Sequence, residues 1–337
     1  MPVRQIDTTE HIEIVQTLTE KLKANYVFPE VAEQICVRLQ KHLNDGDYAD
    51  ITEGEFFALA LTEHLQSVSH DEHLQVRWYP QPLPDHEGSM LQNEERLVEI
   101  RQKARLDNYG FHKAERLPGN VGYLDIRYFT RPSWGSGDTA AAAMNFVAHT
   151  NALIVDLRKC GGGNPGMVAL VSTYLFDGEP LHLNSLYWRA DDFTQQYWTL
   201  PYVPGVRFGD KAVYVLTSNF TFSAGEEFAY NLQTRQRATL VGEATAGGAH
   251  PGSPFRLHPH FEAFIPLGQA INPVTNQNWE GSGVIPDISI TQEQALNVAY
   301  KLALESVIAS MGELESAPIS KLLEEAQAAF DEIENPS

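Results

Sequence analysis

Ser223 is the residue of this chain whose position best suits nucleophilic chemistry. It lies in Ser218-Asn-Phe-Thr-Phe-Ser-Ala-Gly-Glu-Glu-Phe-Ala229, between an apolar run over 211–217 that predicts a buried strand and a predicted helix. The first turn of a helix has unpaired N–H groups and the positive end of the dipole, so an anion forming beside the serine oxygen would be stabilised. The pattern equally suits a capping serine, with Glu226 completing a capping box, and both interpretations stay open here.

Two further stretches of the sequence contain residues that could take part in the same chemistry. Residues 151–166, Asn-Ala-Leu-Ile-Val-Asp-Leu-Arg-Lys-Cys-Gly-Gly-Gly-Asn-Pro-Gly, predict a buried strand that runs into a glycine-rich turn. Because glycine lets the backbone come close to a ligand, Gly162 and Gly163 are candidates to surround a developing charge. The other stretch is Trp279-Glu-Gly-Ser-Gly-Val-Ile-Pro-Asp287, which contains Glu280.

The three stretches together resemble one superfamily, that of the tail-specific (C-terminal processing) proteases, the tricorn-core proteases and the modules of interphotoreceptor retinoid-binding protein. The motifs that carry the resemblance are Asp-Leu-Arg followed by Gly-Gly, the Ser-Ala-Gly-Glu turn, and Glu-x-x-Gly-Val-x-Pro-Asp, in the shared order and spacing. The similarity runs from about His64 to about Ala303. It implies an α/β fold, the ClpP/crotonase-like spiral of ββα units, here with an N-terminal helical bundle and no PDZ domain, since the interval after residue 79 is too short for one.

The resemblance also implies which residues act as the base. Tail-specific proteases activate their serine with a lysine at the position that Gly248 occupies here, so a Ser-Lys dyad is excluded unless another lysine folds in. The tricorn-like branch uses Ser-His-Glu instead, and Ser223, His73 and Glu280 stand at the matching positions. His73 follows Asp71-Glu72 and precedes an alternating run, as the family's histidine does; His70 is the competing candidate.

The implied reaction is acyl transfer to Ser223, with His73 as general base and Glu280 orienting the imidazole. An imidazole with a pKa near 6.5 suits proton transfer at neutral pH. Backbone N–H groups of Ala224 and of Gly162 or Gly163 would form the oxyanion hole. The mechanism requires no metal or cofactor, and the expected partner is a peptide or unfolded protein substrate.

Two other functions remain open. A non-catalytic module like those of interphotoreceptor retinoid-binding protein would bind an apolar ligand or peptide in the same cleft; the absent lysine favours it and the intact triad residues disfavour it. A crotonase-type acyl-CoA enzyme shares the fold but would need basic residues for the nucleotide, which the acidic composition disfavours.

Composition narrows the partners. A formal net charge of −20 and a pI near 4.9 argue against nucleic acid and anionic membranes, which bind positive surfaces. No run of 18 apolar residues is present, and the N-terminal decapeptide lacks the apolar core of a signal peptide, so a cytoplasmic location is expected. The two cysteines, Cys36 and Cys160, do not indicate a disulfide framework or a metal site. The oligomeric state is left open.

Hydrophobic periodicity predicts a helical bundle over 1–66 and a helical tail over 306–337. Between them, the resemblance implies the catalytic-histidine strand and a linker over 67–110, and a peptidase core over 111–305. Within the bundle, Pro29 is expected to open the second helix, and a capping box of Thr52 and Glu55 the third. Strands and helices then alternate from about 121 to 242, which favours an α/β sheet. Two further helices are expected near 291–310 and 319–333.

Two other features allow more than one interpretation. The insert over 181–207 is rich in aromatic residues, which suit either a lid that packs on the core or an apolar substrate groove. His250, His258 and His260 could suggest a zinc site, but nearby proline and aromatic residues, and no spaced acid or cysteine, favour loop histidines.

Overall fold

A computed structural model describes residues 5–86, 88–311 and 316–334. The first four residues of the N-terminal decapeptide, and residues 312–315 and 335–337 of the predicted helical tail, lie outside the described part. Among the described residues, no helix combines the length and the apolar character needed to span a bilayer.

The elements follow in chain order. The helices are α1 (Thr8–Asn25), α2 (Pro29–Asp45), α3 (Gly54–Ser69), α4 (Glu94–Leu106), α5 (Ser136–Val147), α6 (Pro165–Thr173), α7 (Ala224–Thr234), α8 (Gln292–Met311) and α9 (Ala317–Glu334). The strands are β1 (Gln75–Trp78), β2 (Phe111–Leu117), β3 (Val121–Ile126), β4 (Ala152–Asp156), β5 (His182–Trp188), β6 (Phe193–Trp198), β7 (Ala212–Thr217), β8 (Thr239–Gly242), β9 (Gly252–His258), β10 (Phe261–Pro266), β11 (Gly268–Ile271) and β12 (Ile288–Ser289).

The chain forms two compact units. The first comprises Met1–Gln102, Ser185–Gln195 and Gly248–Ile271, and the second comprises Lys103–Asn184, Gln196–Gly247 and Asn272–Ser337. The division of the chain into the segments 1–66, 67–110, 111–305 and 306–337 stays a prediction.

The first unit is built on the three predicted N-terminal helices. Their apolar stripes meet in one core with β1, β9 and β10, which form an antiparallel sheet in the order β1-β10-β9. Pro29 is the first residue of α2, as predicted. The predicted capping box at Thr52 is wrong: α3 begins at Gly54 with Glu53 as N-cap and no side-chain cap bond. A side chain at Gly54 would collide with the Trp78 indole, so the close approach of β1 accounts for the glycine.

The second unit is built on a six-stranded sheet in the order β12-β8-β7-β4-β3-β2. The five strands from β12 to β3 run parallel, and β2 adds antiparallel at one edge. The register pairs Val155 of β4 with Leu124 of β3 and with Val215 of β7, all fully buried. Sheets of parallel strands need both faces covered, which explains the nearly continuous apolar runs of β3, β4 and β7.

Helices cover that sheet. Alternate residues on one face, among them Tyr123, Ile154 and Tyr214, pack with α8 and α9 in a single cluster. Helix α9 therefore packs on the core of its own unit. The predicted alternation of strands and helices from 121 to 242 is confirmed outside the 181–207 insert, where β5 and β6 are strands that were not predicted.

The region from 252 to 271 differs from expectation, because strands β9, β10 and β11 were not predicted there. The prediction that His258 lies in a loop is wrong, since His258 ends β9 and pairs opposite Phe261 of β10. Glycine and proline interrupt this stretch and obscure the period of two on which strand prediction depends.

Candidate active site

The parallel sheet of the second unit brings four loops to one edge. The carboxyl ends of parallel strands lie together, and β8, β7, β4 and β3 are neighbours in that order. The segments that follow them are 243–247, 218–223, 157–164 and 127–130. Strand order thus explains how Ser223 and the glycine turn, about 60 residues apart in the sequence, become neighbours.

Ser223 has an uncommon backbone conformation. Its φ is 55° and its ψ is −118°, and it immediately precedes α7. A non-glycine residue with positive φ costs of order 1–3 kcal/mol and is over-represented at functional sites. Strand β7 before it and α7 after it form a sharp strand-to-helix turn at the end of the sheet, a kind of turn that presents the nucleophile in α/β-hydrolases.

Gly162 approaches the Ser223 side chain closely. Its φ is 110°, and a Cβ placed there would lie 2.8 Å from Cβ and 3.4 Å from Oγ of Ser223. Gly163 has a φ of 142° and lies against the loop that follows β3, because a Cβ there would lie 2.3 Å from the Phe129 carbonyl oxygen. Both positions require glycine for conformation and for space. The structure therefore brings Ser223, Ala224, Gly162 and Gly163 together.

At the start of α7, the backbone N–H groups of Ser223 and Ala224 differ in their hydrogen bonding. The Ser223 N–H donates to Glu226 Oε2 at 2.7 Å. Ala224 is the first residue of α7, so its N–H is among the donors that have no acceptor within the helix. The predicted capping box of Ser223 and Glu226 is present, with the Glu226 side chain on the Ser223 N–H and the Ser223 side chain on the Glu226 N–H.

The Glu280 loop belongs to the same unit and is held by the segment after β8. The Gly281 N–H donates to the Gly247 carbonyl at 2.8 Å, and the Glu280 N–H donates to Asn278 Oδ1 at 3.0 Å. Two hydrogen bonds join Thr245 to Val284. The Thr245 N–H donates to the Val284 carbonyl at 3.2 Å, and the Val284 N–H donates to Thr245 Oγ1 at 2.7 Å. Sequence reasoning noticed this segment only for its missing lysine.

His73 lies in the first unit, just before β1, and its side chain is buried. Its ring stacks on Phe264 with the centroids 5.6 Å apart, and its backbone N–H donates to Asp71 Oδ1 at 3.0 Å. The pKa of His73 is lowered to about 4, chiefly by burial; Asp71 opposes the shift, and the neighbouring His250 and Arg77 add to it. His73 is therefore neutral at pH 7. His70, the competing candidate, is the exposed left-handed C-cap residue of α3.

Asp71 is a residue that sequence reasoning missed. Its buried carboxylate accepts hydrogen bonds from the Tyr26 hydroxyl at 3.0 Å and contacts His250 Nδ1 at 2.8 Å. His250 is thus a buried partner of Asp71. His258 and His260 have other partners: Glu10 Oε1 lies 3.7 Å from His258 Nε2, and the Tyr79 carbonyl lies 2.8 Å from His260 Nδ1. The only signal in the sequence was the Asp-x-His spacing of Asp71 and His73.

With this geometry in hand, comparison with known proteins identifies the family. The sequence model described as peptidase family S41 matches residues 120–290, just over half of the chain. The chain belongs to peptidase family S41. A second model, described as the N-terminal domain of peptidase S41 in eukaryotic interphotoreceptor retinoid-binding protein, matches residues 8–105 of this S41 chain.

One curated relative of this S41 chain is a tail-specific protease of Haemophilus influenzae. It is 34% identical over 160 residues, and the match covers 44% of the chain and 21% of that protein. The chain therefore spans about a fifth of that relative's length.

Solved structures support the fold. Mature CPAF superposes with a TM-score of 0.63 at 13% identity, covering 91% of this chain and 99% of that one. A lipoprotein from Streptococcus agalactiae superposes with a TM-score of 0.56 at 13% identity, covering 88% and 96%. These identities are low, so the two structures establish the S41-type α/β fold and no more.

A buried carboxyl group follows the candidate nucleophile of this S41 chain on α7. Burial raises the pKa of Glu227 to about 8, and the Asn184 side chain opposes that shift. Glu227 is therefore largely protonated at pH 7 in the folded chain, whereas in the unfolded chain it titrates near its ordinary value. The folded state binds the extra proton between about pH 4.5 and 8, so stability must fall as pH rises through this window.

We expect Glu227→Gln to remove this fall in stability with rising pH. Wild-type stability should fall relative to the variant by roughly 1 kcal/mol per pH unit through that window, because an amide cannot ionise. Urea unfolding followed by circular dichroism from pH 5 to 9 would measure the difference. Glu332→Gln, a change of the same chemistry on the exposed side of α9, should leave the pH dependence unaltered. Parallel curves for wild type and Glu227→Gln would contradict the assignment.

Proposed function

We propose that this S41 chain is a serine peptidase that hydrolyses peptide bonds through an acyl-enzyme, with Ser223 as nucleophile, His73 as general base and Glu280 as the residue that orients the base. One observation carries the proposal. In a chain of the peptidase S41 family, the serine of the Ser-Ala-Gly-Glu turn has a left-handed φ at the start of α7, with a glycine of the Gly-Gly turn packed against its side chain.

The reaction would begin when Ser223 Oγ attacks the peptide carbonyl carbon while His73 takes the hydroxyl proton. The carbonyl oxygen gains a negative charge that N–H donors of Ala224 and of Gly162 or Gly163 would stabilise. His73 then gives the proton to the leaving amine as the C–N bond breaks, which forms the acyl-serine. Attack by water, activated by the same imidazole, releases the acid and restores Ser223. None of these steps needs a metal or cofactor.

Two properties support these roles. The pKa of about 4 leaves the His73 imidazole neutral at pH 7, which is the form that a base requires, but it lies below the value near 6.5 expected from the sequence and makes the imidazole a weaker base. The lysine that tail-specific proteases would place at Gly248 is missing, so a different base must activate the serine. The substrate class that follows from the family is a peptide or unfolded protein, and the relative named above is called a tail-specific protease.

Labelling with a fluorophosphonate probe, which phosphonylates activated serines, tests the proposal. The probe should attach to Ser223, as mapped by mass spectrometry, and labelling should disappear in Ser223→Ala. The variant should stay folded, because loss of a serine at a helix start costs only about 1 kcal/mol. A folded wild type that is neither labelled nor active on unstructured peptides would overturn the peptidase proposal and favour a module that binds an apolar ligand.

A further inference from the structure

Glu226 is a wholly buried carboxylate that joins two loops of the second unit. Its Oε2 accepts from the Ser223 N–H at 2.7 Å, and its Oε1 accepts from Thr245 Oγ1 at 2.5 Å and from the Gly247 N–H at 2.6 Å. Burying an ionised carboxylate is costly unless hydrogen bonds compensate, and three converging donors supply that compensation here.

The three donors lie in the two segments whose relative position matters for the proposed mechanism: the Ser223 turn, and the segment that contacts the Glu280 loop. One donor is the backbone of the nucleophile itself. The other two, from Thr245 and Gly247, belong to residues that hydrogen-bond to the Glu280 loop, at Val284 and at Gly281 respectively. The packing is tight, since a Cβ at Gly283 would lie 2.2 Å from the Thr245 carbonyl oxygen. Glu226 thus joins the Ser223 turn to the segment that contacts the Glu280 loop, beside the backbone bond from the Ala246 N–H to the Thr221 carbonyl at 3.1 Å.

We propose that Glu226 is a positioning residue for catalysis, which holds Ser223 in its left-handed conformation and fixes the loop that carries Glu280. The inference rests on the proposed peptidase function and deepens it. It also agrees with the oxyanion donors proposed above. The Ser223 N–H is occupied by Glu226, so the developing charge must be met by the Ala224 N–H and by the Gly162–Gly163 turn.

The role of Glu226 requires a carboxylate, which the amide of glutamine cannot replace. Both Glu226 oxygens face donors, whereas a glutamine offers one oxygen and one NH₂ group. In Glu226→Gln, either the Ser223 N–H or the Gly247 N–H must therefore face another donor, and one of the two loops loses its anchor. We expect kcat to fall by about 10- to 100-fold with KM changed by less than about 3-fold, because the loss concerns alignment of the reacting groups rather than substrate contact.

The experiment measures kcat per labelled site. Fluorophosphonate titration counts the serines that can react, and hydrolysis of an unstructured peptide is divided by that count. A positioning role predicts a lower kcat per labelled site and slower phosphonylation in Glu226→Gln. A merely structural role predicts fewer labelled sites, each with the wild-type kcat. Glu227→Gln is the matched control, because it makes the same change at the adjacent buried residue and should keep the wild-type kcat per site.

A second pair of variants tests the same link if Glu226→Gln fails to fold. Thr245→Val removes the hydroxyl that donates to Glu226 and accepts from Val284, and should lower kcat per labelled site; Thr245→Ser keeps the hydroxyl and should restore it to within about 3-fold. Wild-type kcat per site in folded Glu226→Gln, or in folded Thr245→Val, would overturn the inference while labelling of wild-type Ser223 still stands. Absence of labelling in wild type itself would overturn the peptidase proposal and this inference with it.

Discussion

Replacing His73 by alanine should lower kcat on an unstructured peptide by about 10⁴-fold or more while the chain stays folded. Without the general base, the Ser223 hydroxyl is a weak nucleophile, and only substrate binding and the oxyanion donors would accelerate the reaction. His70→Ala is the matched control. His70 is exposed at the end of α3, so its loss should change kcat by less than about 3-fold.

Glu280→Gln tests the third member of the proposed triad. The amide keeps the shape but cannot stabilise the imidazolium, so a severe loss is expected. Residues that act as one unit cannot be lost twice, so His73→Ala combined with Glu280→Gln should be little worse than His73→Ala alone. Peptide hydrolysis near neutral pH, with circular dichroism to confirm folding, would measure all four variants. Full activity in folded His73→Ala, or losses that multiply in the double variant, would rule out the Ser-His-Glu assignment.

Replacing Gly162 by alanine should lower kcat by about 10²- to 10³-fold, the range for losing one oxyanion-hole donor. The new Cβ would lie 2.8 Å from Ser223 Cβ, and the φ of 110° disfavours any residue with a side chain. The turn must therefore move away from the serine, and any donor that it contributes moves with it. Ser223 itself would also be displaced from its left-handed conformation.

Gly161→Ala provides the control for that prediction. Gly161 is the preceding residue of the same turn, its φ does not require glycine, and a Cβ there meets no atom within 4 Å. Its substitution should leave kcat within about 3-fold of wild type. The comparison uses the same peptide assay, with the fluorophosphonate labelling rate as a second measurement. Equal activity of the two variants would show that the close approach of Gly162 to Ser223 has no part in catalysis.

The sequence by itself determined the local elements of this protein. The apolar run before Ser223 and the spacing after it gave β7 and α7, and the glycine turn after the Asp-Leu-Arg strand was placed correctly. The motif order also identified the superfamily, which the match to peptidase family S41 confirms. These features could be predicted because each depends on residues close together in the chain, through period, capping and turn chemistry. The roles of Ser223, His73 and Glu280 stay predictions.

The tertiary structure alone decided which loops meet and what holds them. The strand order β8-β7-β4-β3 places Gly162 against Ser223 and brings Thr245 and Gly247 to Glu226. The capping-box spacing to Ser223 distinguishes Glu226 from Glu227, but nothing local shows that Glu226 also meets donors from Thr245 and Gly247, or that Glu227 beside it is buried and largely protonated. Both are acidic residues in the first turn of a helix, where sequence rules expect solvent-facing carboxylates. Two of the donors to Glu226 come from distant segments, and periodicity carries no information about which distant segments those are.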